Sequence, residues 1–174
     1  MPGPLRRPSR RWLRRLSETL PEGVLLAVDL GQARVGVAAC DAGRVLAYPV
    51  ETIPAGEGLP GQVKRLADQY GAVGLVVGYP LALDGTPGIA ARHVWDQARA
   101  LSKVVGLPTV LVDERMSTAQ AQRRLREAGR NAKKARRVID AQAAVGILEL
   151  VIDAANQGMM IGQRLQEDAD GWSQ

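Results

Sequence analysis

Apolar and polar positions alternate between short runs and longer periodic stretches, which predicts strands followed by helices. Residues 24–30 form an apolar run read as a buried strand, and Arg34–Cys40 follows closely enough to pair with it as a hairpin across Gly31. Residues 45–50 suit a third strand, so the chain opens on an antiparallel meander. Gly56 to Gly61 then separates it from a helical stretch over residues 63–70. Residues 73–77 are continuously apolar and flanked by Gly, as expected of a central parallel strand reached by a helical crossover. An irregular loop over residues 78–88 leads to a helix over 89–104 and a buried strand over 109–112. Ser117 can cap the next helix with Gln120 at the capping-box position, and Gly129 suits its end. A last helix over residues 133–155 carries Val138, Val145, Leu148 and Ile152 along one face, and the chain from Asn156 reads as frayed. This order implies an α/β fold: an open mixed sheet, three antiparallel strands then two parallel, flanked by helices.

At 174 residues with 46% hydrophobic content, the chain suits one domain with a buried core. There is no Phe, so the core must come from Val, Leu, Ile and Ala, and base-stacking platforms are not expected. Cys40 is the only cysteine, which excludes an internal disulfide and a cysteine-rich zinc site and is compatible with a reducing cytoplasm. No apolar run approaches the ~20 residues that span a bilayer, so a soluble protein with no membrane partner is expected.

Charge divides the chain further. Residues 1–22 are rich in Arg and Pro and read as a basic, disordered arm, with Arg6, Arg7, Arg10, Arg11, Arg14 and Arg15 against Glu18. Its first twenty residues hold +5, equal to the whole formal net charge of +5, so residues 21–174 sum to zero. Residues 23–155 are expected to be the domain and 156–174 a flexible tail. Within the neutral remainder, residues 115–137 carry nine Arg or Lys and only Glu127 opposing them, the footprint of a polyanion-binding face. A solvated helical face would carry the same charges.

Three acidic positions sit at ends of elements that this topology could bring together. Asp29 interrupts the apolar run Ala27-Val28-Asp29-Leu30, where a carboxylate is expensive to bury unless something pairs with it. A bound cation would do so; capping a turn before Gly31 is the plainer alternative. Asp113 and Glu114 end the strand Val110-Leu111-Val112, at the carboxyl edge where open α/β sheets place ligands. Only one of that pair should face a given site, and sequence does not choose between them. Asp140 lies in the last helix among Val138, Ile139 and Ala141, where it could simply neutralise Arg136 or Arg137. Together, carboxylates without a Cys or His cluster make an oxygen-ligand site for Mg²⁺ or Mn²⁺. Two such ions can activate water and stabilise a leaving oxygen in phosphodiester cleavage. Arg115, Lys133, Lys134, Arg136 and Arg137 would then hold nucleic-acid phosphates. His93 is read as ordinary surface or core, and the loop Gly85 to Gly88 lacks the Lys of a Walker motif.

Four stretches, in order, carry a resemblance. They are Val28-Asp29-Leu30-Gly31-Gln32-Ala33-Arg34-Val35-Gly36-Val37-Ala38; Val77-Gly78-Tyr79-Pro80-Leu81 with Asp84-Gly85-Thr86; Val112-Asp113-Glu114-Arg115-Met116-Ser117-Thr118; and Lys133-Lys134 with Ile139-Asp140 and Ala143-Ala144. Over residues 24–152 the chain resembles the YqgF or RuvX family of RuvC-like nucleases. The resemblance implies a ribonuclease H-like fold and a nuclease maturing the 5′ end of 16S ribosomal RNA in the bacterial cytoplasm, with pre-ribosomal particles as partners. Holliday junction resolution is the alternative it implies, on branched DNA. By motif match Asp29 takes the first-strand aspartate, Glu114 the second acid and Asp140 the helical third, with Asp113 in reserve for the second. Leu30 stands where Phe or Tyr is commoner, and Tyr79 where Leu is commoner. Two other readings compete. The sugar-kinase and actin-like ATPases share the first-strand Asp-x-Gly but need a second domain that 174 residues cannot supply. A nucleic-acid-binding module without chemistry would use the basic segment alone. Either a monomer or a homodimer is compatible with the sequence.

Overall fold

The computed structural model describes residues 20–116, 133–159 and 162–165, with residue 116 and residues 133–139 described by their backbone alone. Six strands form one sheet: β1 (Leu25–Leu30), β2 (Arg34–Cys40), β3 (Ala47–Pro54), β4 (Gly74–Tyr79), β5 (Thr109–Asp113) and β6 (Gln163–Arg164). Their order is β3-β2-β1-β4-β5-β6. β1, β2 and β3 are antiparallel neighbours, β1, β4 and β5 run parallel, and β6 returns antiparallel to β5. Among the described residues three α-helices cover it: α1 (Leu59–Tyr70), α2 (Ile89–Val105) and α3 (Lys133–Asn156).

The alternation of side chains along each strand sorts the core into two layers. Leu26, Val28 and Leu30 of β1 join Leu75, Val77 and Tyr79 of β4 under α1 and α2. Leu25 and Ala27, with Val76, Val110 and Val112, pack instead against Ala144, Ile147, Leu148 and Val151 of α3. A sheet buried on both faces explains why its strands read as continuous apolar runs.

Several boundaries differ from the sequence expectation. The third strand occupies Ala47–Pro54 rather than residues 45–50. The Asp41 carboxylate accepts hydrogen bonds from the backbone N–H of Gly43, Val45 and Leu46, holding that connection outside the sheet with Val45 and Leu46 exposed. Helix α1 starts at Leu59 because Pro60 falls in its first turn, where a missing N–H costs nothing. Beyond Asn156, where fraying was expected, Gln163 and Arg164 add β6 by backbone pairing with Leu111 and Val110, and Leu165 is buried. Leu20 is likewise buried, in the layer with α3, so the chain enters the core before Gly23. The helix expected between Ser117 and Gly129 lies outside the described residues.

Candidate active site

The strand alternation that builds the α3 layer also gathers the acids. On β1, Leu25 and Ala27 face α3 and Asp29 continues the series; on β5, Val110 and Val112 do so and Glu114 follows just past the strand end. On β2, Ala38 and Cys40 face α3, which puts Gly36 and Arg34 on the same side. Asp29 pairs directly with Gly36 in the ladder. A Cβ at Gly36 would lie 1.8 Å from the backbone oxygen of Asp140, so α3 rests on bare strand at this point. Gly78 follows Val77, the ladder partner of Val28. A Cβ there would lie 2.5 Å from Ile147 Cδ1 and 3.0 Å from Glu114 Oε2, so the Glu114 carboxylate reaches over that glycine. Asp29, Glu114 and Asp140 thus share one face at the carboxyl edge of the sheet, at 0%, 1% and 2% exposure.

Asp113 points the other way and is held by its neighbour. Arg115 Nε donates to both Asp113 carboxylate oxygens at 2.9 and 3.0 Å, Arg115 NH2 donates to Oδ2 at 2.5 Å, and the Arg115 backbone N–H donates to Oδ1 at 3.0 Å. Hydrogen bonding to Asp113 pushes the Arg115 guanidinium above its ordinary pKa. The remaining nitrogen, NH1, donates to the carbonyl oxygens of Ala82 and Leu83 at 3.2 and 3.1 Å. Arg115 therefore ties the loop over residues 80–88 to the strand carrying the acids.

One residue that sequence reasoning passed over enters the site. Arg34 Nε donates to Asp140 Oδ2 at 2.7 Å across 106 positions of sequence. The available signal was a lone cation opening the otherwise apolar strand Arg34–Cys40. The two departures from the family pattern, Leu30 and Tyr79, lie in the opposite layer, away from the acids. Tyr79 packs edge-on to Trp95 at 6.4 Å, and burial pushes its phenol up to about 12. His93 is exposed on α2, the helix covering that same opposite face. Cys40 is buried, its sulfur accepts a hydrogen bond from Leu25 N–H at 3.3 Å, and burial raises its thiol pKa. Lys133, Lys134, Arg136 and Arg137 belong to the first turns of α3, and their side chains lie outside the described residues.

A divalent ion fits the donor chemistry of this edge better than its present spacing. The donors are all carboxylates, as Mg²⁺ or Mn²⁺ prefers, but the space over Gly36 and Gly78 is filled by the Asp140 backbone oxygen and Ile147. Yet among the described residues no group of three or more His, Cys, Asp or Glu is arranged to hold a metal ion. The Asp140 carboxylate is engaged by Arg34.

An open mixed sheet of this order, helices on both faces and acids at one carboxyl edge define a protein of the ribonuclease H-like class. The RuvC of Thermus thermophilus, solved in complex with a Holliday junction substrate, shares the fold: TM-score 0.50 at 12% identity, over 80% of this chain and 99% of that one. The chain belongs to the RuvX family, described as Holliday junction resolvase, whose profile matches residues 23–154. It is 45% identical over 137 residues to a Cutibacterium acnes protein named "Putative pre-16S rRNA nuclease", covering 78% of this chain and 86% of that one. Proteins of the same name from Kineococcus radiotolerans and Streptomyces avermitilis are each 43% identical, over 81% and 76% of this chain and 77% and 86% of theirs. Among the described residues no helix is long and apolar enough to cross a membrane.

Proposed function

We propose that this chain is a divalent-metal-dependent nuclease that hydrolyses phosphodiester bonds in pre-16S ribosomal RNA, maturing its 5′ end in the cytoplasm. The observation that carries the reading is the burial of Asp29, Glu114 and Asp140 on one face of the carboxyl edge. Three acids kept out of water at the rim of a sheet are costly unless cations meet them. In this reading Asp29, Glu114 and Asp140 would hold Mg²⁺ or Mn²⁺, which would supply activation of a water and stabilisation of the leaving oxygen. The chain's own side chains do the rest. Arg34 fixes the orientation of Asp140, and Arg115 holds the loop over 80–88 to the end of β5. Lys133, Lys134, Arg136 and Arg137 grip the flanking phosphates. The names borne by the relatives from Cutibacterium and Streptomyces support ribosomal RNA as substrate.

The family description favours a second reading, resolution of Holliday junctions. A resolvase cuts two symmetric strands together and so acts as a homodimer, whereas an end-maturing ribonuclease needs only a monomer. The test is cleavage of a labelled precursor 16S leader and a four-way DNA junction in parallel, with Mg²⁺ or Mn²⁺, by wild type and Asp29→Asn. Preferential cutting of the leader that disappears in Asp29→Asn is the expected result. Symmetric nicking of the junction transfers the assignment to resolution. Wild-type rates in Asp29→Asn overturn the catalytic assignment.

A further inference from the structure

We propose that Arg34 is a substrate-contacting residue: its Nε fixes the Asp140 carboxylate while its two terminal nitrogens bind a non-bridging oxygen of the phosphate beside the bond to be cut. This rests on the nuclease reading above and adds a residue to it. Two arginines with described side chains stand at the carboxyl edge, and their hydrogen bonds differ. In Arg115 all three guanidinium nitrogens are engaged, by Asp113 and by the carbonyls of Ala82 and Leu83. In Arg34 only Nε is engaged, and among the described residues no acceptor meets NH1 or NH2. Arg34 opens β2 on the face shared with Asp29 and Asp140, and its side chain is 33% exposed against 2% for its partner. The ion pair therefore has a buried end, the carboxylate, and a part-exposed end, two nitrogens that meet no acceptor among the described residues.

An arginine suits this division of labour because its planar fork presents separate donors in fixed directions, and paired terminal N–H groups match phosphate geometry. Neutralising Asp140 alone would need no such fork; a lysine could supply the charge. The position also has consequences for the reaction. A cation that contacts both an acid of the site and the substrate sets the distance between them.

Removing Arg34 alone would leave Asp140 buried without its cation, and such a variant could fail by misfolding. The test therefore compares the full-length Asp140→Asn protein with the full-length Arg34→Gln/Asp140→Asn protein, in which no buried charge is orphaned. Binding of a fluorescent 5′-leader RNA is titrated in EDTA across a range of KCl, so that cleavage does not intervene, and melting temperatures are taken alongside. A phosphate contact at Arg34 lowers the slope of log K against log salt by about 0.7–0.9 in the double variant, with a several-fold loss of affinity at low salt. A merely structural arginine moves the melting temperature and leaves the slope alone. Binding by both proteins with equal slopes overturns the Arg34 assignment and leaves the nuclease reading standing. Absence of binding by either protein overturns the assignment together with the reading it rests on.

Discussion

At the residue scale, Asp113 and Glu114 are adjacent acids with different work. Asp113 is tied up by the fork of Arg115, both side chains being partly exposed, at 30% and 27%. Glu114 is buried beside Gly78 on the face that holds Asp29 and Asp140. Glu114→Gln should therefore cut the cleavage rate by roughly 10²–10⁴-fold with little change in fold, the size expected when a group at the reacting centre is removed. Asp113→Asn should cost less than about tenfold, through a looser loop, since a part-exposed ion pair contributes only about 0–1 kcal/mol. Rates for the two variants on one labelled leader decide it, and an equal or larger loss in Asp113→Asn reverses the assignment. The acids were legible in the sequence because a charge inside Ala27-Val28-Asp29-Leu30 or Val138-Ile139-Asp140-Ala141 breaks an apolar pattern. Which of Asp113 and Glu114 faces the other acids was not legible. It depends on the register of β5 with β4, a matter of backbone pairing. Arg34 was missed for a similar reason: its partner is 106 positions away, and a lone cation opening an apolar strand does not name that partner.

At the element scale, the site depends on how closely α3 lies against the sheet. The backbone oxygen of Asp140 occupies the space of a Cβ at Gly36, whereas at Gly78 that space is entered by the flexible end of Ile147. Gly36→Ala forces the helix backbone itself to move, so the cost should reach the upper end for overpacking, about 3 kcal/mol. That lowers the melting temperature by about 6–12 °C in a chain of this size. Cleavage at a temperature where the variant is still folded should also fall, because Asp140 rides on the displaced turn. Gly78→Ala should destabilise less, since a side-chain end can turn aside. Thermal melts and rates of the two variants check both parts; a Gly36→Ala protein that melts and cuts like wild type would refute the close-packing account. The elements themselves were mostly readable, since β1, β2, β4 and β5 are apolar runs bounded by Gly or polar turns. β6 was not, because two residues, Gln163 and Arg164, join the sheet through backbone pairing alone. Neither shows the alternation by which a strand is recognised.

At the scale of the whole molecule, the described residues cover the two faces of the sheet differently. α1 and α2 close one face over a continuous apolar layer, while α3 with the described residues around it covers the other and carries the acid at its rim. Lys133, Lys134, Arg136 and Arg137 belong to the first turns of α3. The arm adds +5 in residues 1–19. Leu20 is 3% exposed, against Gly74, and belongs to the α3 layer, so a deletion that stops at residue 19 spares that contact. Deleting residues 1–19 should leave the melting temperature unchanged while making nucleic-acid binding weaker at low salt and less dependent on salt. The slope should fall by about 0.7–0.9 for each phosphate the arm had neutralised. Extending the deletion through Leu20 should in addition lose about 1.5–3 kcal/mol of stability, the burial of one leucine side chain. An unchanged salt slope in the shorter deletion would remove the arm from the binding surface. The hold on the substrate would then rest on Arg34 and on the Arg and Lys residues that lie between 123 and 137.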